Sequence, residues 1–222
     1  MTWTIPNTLT VLRLLAAPGV AVMFLYFHRP WADWFALTLF IGAAITDWFD
    51  GYLARLWKQE SKFGTMLDPI ADKAMVVIAI MVITGYSGMN PWLILPATVI
   101  LFREVFVSGL REYLGPRARD LRVTRLAKWK TTAQMVAIAI LFLGTGLEYL
   151  NGVAMRGMTP AEFAEAVSLG AADPIRACGK RDCASYATMI GLVLIWIAAG
   201  LTAWTGWDYF RKALPYLREG KR

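Results

Sequence analysis

A chain of 222 residues that is 57% hydrophobic, only 18% charged and carries ten tryptophans, with a mean hydropathy of +0.47, is too apolar for an ordinary soluble domain. A formal charge of +7 and a pI near 9.6 would suit a nucleic-acid binder, but in so apolar a chain basic residues mark cytoplasmic loops and anionic headgroups. No nucleic acid is therefore expected as a partner, and the chain reads as an all-α integral membrane protein of one domain, residues 1–222, in contact with membrane lipid.

Crossing a hydrocarbon core of about 30 Å takes about 20 helical residues. Six transmembrane helices are predicted in chain order, at 8–27, 34–56, 70–86, 92–112, 129–150 and 186–208. The amino terminus lacks the basic region and small-residue cleavage site of a secretory signal, so the first span is expected to stay. His28, the single histidine, stands with Arg29 and Pro30 at a helix end and is given an interfacial place and no role. Trp31, Trp92 and Trp207 near helix ends read as interfacial belts. Gly85 to Pro91, "GYSGMNP", has the composition of a tight turn between the third and fourth spans.

An amino terminus on the cytoplasmic side leaves Arg29, Arg156, Arg176, Lys180 and Arg181 outside, so 18 of the 23 Lys and Arg lie in or near the cytoplasmic side. Both termini are then cytoplasmic. Residues from about 151 to 185 form an external insertion, in which Thr159-Pro160 and "AEFAEAV" predict a capped short helix. Cys178 and Cys183, the two cysteines, fall together there, and a disulfide is expected between them.

Chemistry concentrates in "TDWFDGYLARLWKQESKFGTMLDPIADK", Thr46 to Lys73. Asp47 and Asp50 are three apart and share a face near the end of the second helix; Asp68 and Asp72 are four apart and share a face near the start of the third. Four converging carboxylates repel unless cations hold them, and hard divalent ions such as Mg²⁺ take oxygen ligands of this kind. Gly51 and Ala54 leave room for a ligand against the backbone, and Arg55 is placed to pair with a phosphate. Each residue also has an ordinary reading: Asp68-Pro69 as an N-cap and first turn, Asp72 as a partner of Lys73 or Arg55.

Together, Asp47-x2-Asp50-Gly51-x2-Ala54-Arg55-x8-Gly64-x3-Asp68-x3-Asp72 matches every fixed position of the signature of the CDP-alcohol phosphatidyltransferases, and the chain is identified by that resemblance as a member. "IPNTLTVLRLLAAP", "LDPIADKAMV", "REVFVSGLRE" and "KWKTTAQMVA" further resemble the bacterial phosphatidylglycerophosphate synthases of the family. The resemblance implies a six-helix enzyme of the bacterial inner membrane, usually a homodimer, with its active site at the cytoplasmic face. It would transfer the phosphatidyl group of CDP-diacylglycerol to an alcohol, here glycerol 3-phosphate, and release CMP. By similarity, two divalent cations, Mg²⁺ or Mn²⁺, are held by Asp47, Asp50, Asp68 and Asp72, and Asp72 is also the base. Gly51, Arg55 and Ser61 match nucleotide-binding positions, with Ala54, Gly64, Asn7 and Thr10 as further candidates for the CDP-diacylglycerol site.

The acceptor's phosphate needs fixed cations. Arg103 and Arg111 lie eight apart, about two turns along one side of the fourth helix, and Lys128 opens the fifth. Arg103 lies deep in an apolar helix beside Glu104, where an unpaired charge is costly. Arg117, Arg119, Arg122 and Arg125 read instead as an anchor on anionic lipid. Acceptors such as inositol phosphate, serine or choline share the signature. An intramembrane prenyltransferase lacks the Asp-Gly-x2-Ala-Arg pattern, and a transporter would place its charges at the midplane or in two related halves.

Overall fold

The computed structural model describes residues 5–29, 31–57, 62–115, 125–156 and 180–218, which form six α-helices with no strand among them. They are α1 (Ile5–Tyr26), α2 (Trp31–Trp57), α3 (Lys62–Tyr86), α4 (Pro91–Leu114), α5 (Arg125–Arg156) and α6 (Lys180–Arg218). Each expected span lies inside one of them, except that the first runs one residue past α1, to Phe27. Among the described residues α1, α4, α5 and α6 contain stretches long and apolar enough to cross a membrane. With 27 and 25 residues, α2 and α3 are about 40 Å long, and the aspartates they carry lower their mean hydropathy.

Two boundaries differ from expectation, each for a local reason. α3 begins at Lys62, so Asp68-Pro69 is not its N-cap; Pro69 sits inside the helix, in its second turn, where it removes one backbone donor. Of the stretch read as an external insertion, 151–156 continues α5 and 180–185 begins α6, so both helices run past the expected spans. The middle of that stretch, with the short helix expected after Thr159 and with Cys178, lies outside the described residues.

The turn between α3 and α4 follows its composition. Gly88 and Met89 both adopt positive φ, 61° and 65°, a conformation that costs Met89 what it does not cost glycine. Asn90 then caps α4: its side chain accepts from the Trp92 amide at 3.0 Å, and Pro91 takes the first helical position, where no donor is needed. At the other end Gly115, at φ 53°, returns its amide to the carbonyls of Arg111 and Glu112.

Burial is turned inside out relative to a soluble bundle. Ala17, Val20, Ala36, Ala79, Ala137 and Ala198 are buried between helices, small residues that let backbones approach where apolar side chains gain little by leaving lipid. Phe142 fills the centre, with ring centroids 5.8 Å from Phe24 and 5.7 Å from Phe40. Leu25, Phe102, Val105, Trp92 and Trp204 stand outward as surface for acyl chains.

Long-range contacts fix alternating helix directions and two unlike ends. At the end holding the finish of α1 and the start of α2, Arg29 grips Asp33 with both arms, Nε to Oδ2 at 2.8 Å and Nη2 to Oδ1 at 2.6 Å, and donates to the Thr145 carbonyl at 2.9 Å. Its guanidinium lies over the rings of Tyr86 and Tyr149, while Tyr86 Oη donates to the Phe24 carbonyl. This clamp ties α1, α2, α3 and α5 together. Asp47, Asp68, Asp72, Arg103, Glu104, Arg111 and Lys130 gather at the opposite end.

Candidate active site

At that opposite end α1, α2 and α3 bring three of the four aspartates together. Thr10 Oγ1 donates to Asp68 Oδ1 at 2.9 Å, and one turn along α1 Arg13 bridges the other two, its Nη1 donating to Asp47 and, at 2.8 Å, to Asp72 Oδ1. The Arg13 side chain is 1% exposed; the two carboxylates it holds are 44% and 43% exposed. Each carboxylate is therefore anchored from the protein side and open on the other. Thr10 and Asn7 are both buried, and spacing of three puts Asn7, Thr10 and Arg13 on one face of α1.

The site residues expected on the second helix are only partly visible. Asp50, Gly51, Ala54 and Arg55 belong to α2 by their backbone, but their side chains lie outside the description, as does Ser61 altogether. Gly64 is buried in the first turn of α3. Among the described residues no three His, Cys, Asp or Glu side chains are grouped closely enough to hold a metal ion. The donor chemistry nonetheless suits one: Asp47, Asp68 and Asp72 are hard oxygen ligands with open faces, and Asp50 is one turn from Asp47.

Asp72 also lines a cavity of about 300 Å³ between α3, α4, α5 and α6. Its cations are Lys73, Arg103, Arg111 and Lys130, and its carboxylates are Asp72, Glu104 and Asp208. Arg13 already holds Asp72, and Lys212 donates to Asp208 at 2.6 Å, neither of these cations lining the cavity. Among the described lining residues Glu104 is then left to balance four cations. Its Oε1 accepts from Arg103 Nη1 at 3.2 Å and from Lys130, while Lys73 donates to Ser108 Oγ, which donates on to the Glu104 carbonyl at 2.6 Å. The surplus positive charge, in a pocket with apolar walls such as Val76 and Val107, is a setting for a phosphate.

The expected acceptor residues divide. Arg103 and Arg111 both face the cavity, as their spacing on α4 implies. Lys128 is in α5 by its backbone, with its side chain outside the description, and the lysine that lines the cavity is Lys130. Of the ordinary partners considered for Asp72, Lys73 turns to Ser108 while the side chain of Arg55 lies outside the description; Arg13 takes the carboxylate. Arg13, Lys73, Lys130, Gln134 and the α6 residues Asp208 and Tyr209 were not expected. A usable signal existed for Arg13 and Lys130, since each is an ionisable group inside an apolar helix.

Comparison with known proteins agrees with this geometry. The chain is 80% identical over 221 residues to the CDP-diacylglycerol–glycerol-3-phosphate 3-phosphatidyltransferase of Cereibacter sphaeroides, covering 100% of both chains. It is 35% identical to the protein of that name from Pseudomonas fluorescens, over 98% of this chain and 94% of the other. With the Escherichia coli protein of that name it shares 43% identity over 63% of this chain and 76% of that one. The family profile for CDP-alcohol phosphatidyltransferase spans residues 3–208, from before α1 to the Asp208 that lines the cavity. Aspartates, cavity and profile thus coincide over nearly the whole length, and the chain belongs to the CDP-alcohol phosphatidyltransferase family.

Proposed function

We propose that the protein transfers the phosphatidyl group of CDP-diacylglycerol to the primary hydroxyl of sn-glycerol 3-phosphate, giving phosphatidylglycerophosphate and CMP. One observation carries the choice of acceptor: Asp72 belongs both to the aspartate cluster and to the lining of the cation-rich cavity. An alcohol whose phosphate is held by Arg103, Arg111 and Lys130 can then present its hydroxyl at Asp72. The names of the relatives point to the same acceptor.

The balance of the reaction assigns work to these residues. The hydroxyl oxygen forms a bond to the phosphorus of the phosphatidyl group, the anhydride bond to CMP breaks, and the Asp72 carboxylate takes the hydroxyl proton. Arg13 orients Asp72 by holding one of its oxygens. Arg55, Gly51, Ala54, Ser61 and Gly64 belong to the nucleotide side of this reading, and Asn7 and Thr10 close it from α1. Two divalent cations, Mg²⁺ or Mn²⁺, when bound by Asp47, Asp50, Asp68 and Asp72, would polarise the phosphorus and neutralise the charge developing on CMP.

The enzyme is placed by this reading in the bacterial inner membrane, with all six helices crossing, both termini and the site on the cytoplasmic side, and a homodimeric assembly as its family implies. A panel assay tests the function. Purified protein with CDP-diacylglycerol and Mg²⁺ or Mn²⁺ is offered glycerol 3-phosphate, inositol phosphate, serine and choline in turn, and CMP is measured. Release is expected with glycerol 3-phosphate; release with another alcohol alone reassigns the acceptor, and no alcohol-dependent release overturns the transferase reading.

A further inference from the structure

Three glycines of α5 and α6 stand where a side chain would collide with a neighbour, and one differs from the other two. A Cβ on Gly144 would meet Thr188, including its backbone nitrogen at 3.3 Å, and a Cβ on Gly191 would meet Leu141, again including the backbone nitrogen at 3.3 Å. Those two let the backbones of α5 and α6 approach. For a Cβ on Gly206 the three nearest neighbouring atoms are all of one side chain. That Cβ would stand 2.8 Å from Cγ of Arg103 and 3.6 Å from its Nε, so the bare face of Gly206 is occupied by the stem of one cavity cation.

Three residues on, and so on the same face of α6, Tyr209 supports the other cation of α4. The Arg111 guanidinium lies 5.5 Å from the centroid of its ring. Tyr209 is 7% exposed and packs with Val107, Leu114 and Ala213, which fixes the ring in place. Arg103 Nε and Tyr209 Oη, two polar groups beside the cavity, are both buried without a hydrogen-bond partner among the described residues.

We propose that Gly206 and Tyr209 are positioning residues for the acceptor's phosphate: the absent side chain of Gly206 seats Arg103, and the ring of Tyr209 seats Arg111. This rests on the acceptor reading given above. α4 supplies the charges and α6 sets their direction. Arg103 lies near the root of its side chain against Gly206, so an added methyl cannot be avoided by moving the flexible tip alone and must swing the guanidinium from its place.

The test is a pair of comparisons read as KM for each substrate. Gly206→Ala is expected to raise KM for glycerol 3-phosphate about tenfold, the size of one misplaced charge-assisted contact, with KM for CDP-diacylglycerol and kcat within about twofold. In an Arg103→Ala background the same change is expected to add nothing. Tyr209→Leu should give a similar rise, and Tyr209→Phe, which keeps the ring, should recover most of it. Calorimetric binding of glycerol 3-phosphate to wild type and Gly206→Ala is a second readout independent of turnover. Wild type that releases no CMP with this acceptor defeats the acceptor reading, whereas unchanged KM and unchanged binding in Gly206→Ala defeat the seat. So does a Gly206→Ala loss that persists in the Arg103→Ala background or falls equally on both substrates.

Discussion

Arg13 stands where two aspartates of different helices would otherwise face each other, and it is almost wholly buried while they are half-exposed. Replacing it with alanine leaves those carboxylates without their donor, so a loss of about 1 to 3 kcal/mol in stability is expected, seen as a lower thermal midpoint in detergent, together with loss of turnover. Lysine at that position supplies charge without the planar fork and should recover stability better than turnover. Asp72→Asn is the opposite case: the amide keeps the size of the side chain but cannot take the proton. Turnover is expected to fall by at least about a hundredfold with CDP-diacylglycerol binding retained, and near-normal turnover would remove Asp72 from the role of base. Arg111→Ala should raise the KM for glycerol 3-phosphate much more than that for CDP-diacylglycerol, since a charge-assisted phosphate contact is worth about 1.5 to 3 kcal/mol. The aspartates were legible because three- and four-residue spacings are local geometry. Arg13 could be noticed only as a charge inside an apolar helix; its partners are 34 and 59 residues away and no local pattern names them.

α5 and α6 pack closely because glycine stands at both contacts, and the contacts make a direct prediction about the pair. Gly191→Ala would put a Cβ 2.8 Å from Leu141 Cγ and 3.3 Å from its backbone nitrogen, so the helices must part. A loss of about 1 to 3 kcal/mol is expected by overpacking, against neutrality or a slight gain for Gly42→Ala in α2, where nothing lies within 4 Å. Thermal unfolding in a single detergent checks both; equal behaviour of the two variants would discard the close-approach account. The helices themselves were legible, since runs of about 20 apolar residues need no partner to be recognised. Faces were harder. Lys128 and Lys130 are two residues apart, about 200° around α5, and which of them meets the cavity depends on how α5 rolls against α4, a matter of packing that neither residue's local sequence decides. The same reason hid Asp208 and Tyr209, whose place in the site comes only from α6 lying parallel to α4, with Trp196 Nε1 donating to the Trp92 carbonyl at the far end.

The whole bundle divides its labour between its ends. One is closed by the Arg29–Asp33 clamp; the other holds the aspartates and the cation-rich cavity. That polarity makes membrane sidedness a testable property of the fold, because the helices alternate and the start of α6 lies at the clamp end, away from Asp72. With the basic residues concentrated toward the aspartate end, the positive-inside rule predicts that end on the cytoplasmic side, where the proposed acceptor would be met, and the start of α6 outside. Cys183 begins that helix and Cys178 precedes it, so both should lie on the external side, in a compartment where neighbouring thiols pair. The ring such a bond closes is short and would stabilise its own turn by no more than about 3 kcal/mol, with little effect on chemistry at the opposite membrane face. In intact cells a membrane-impermeant maleimide is expected to label the protein only after reduction, and from outside. Labelling without reductant removes the disulfide but leaves the orientation standing. Labelling that requires the membrane to be broken inverts the orientation, and with it the assignment of the aspartate end to the side where the acceptor is found.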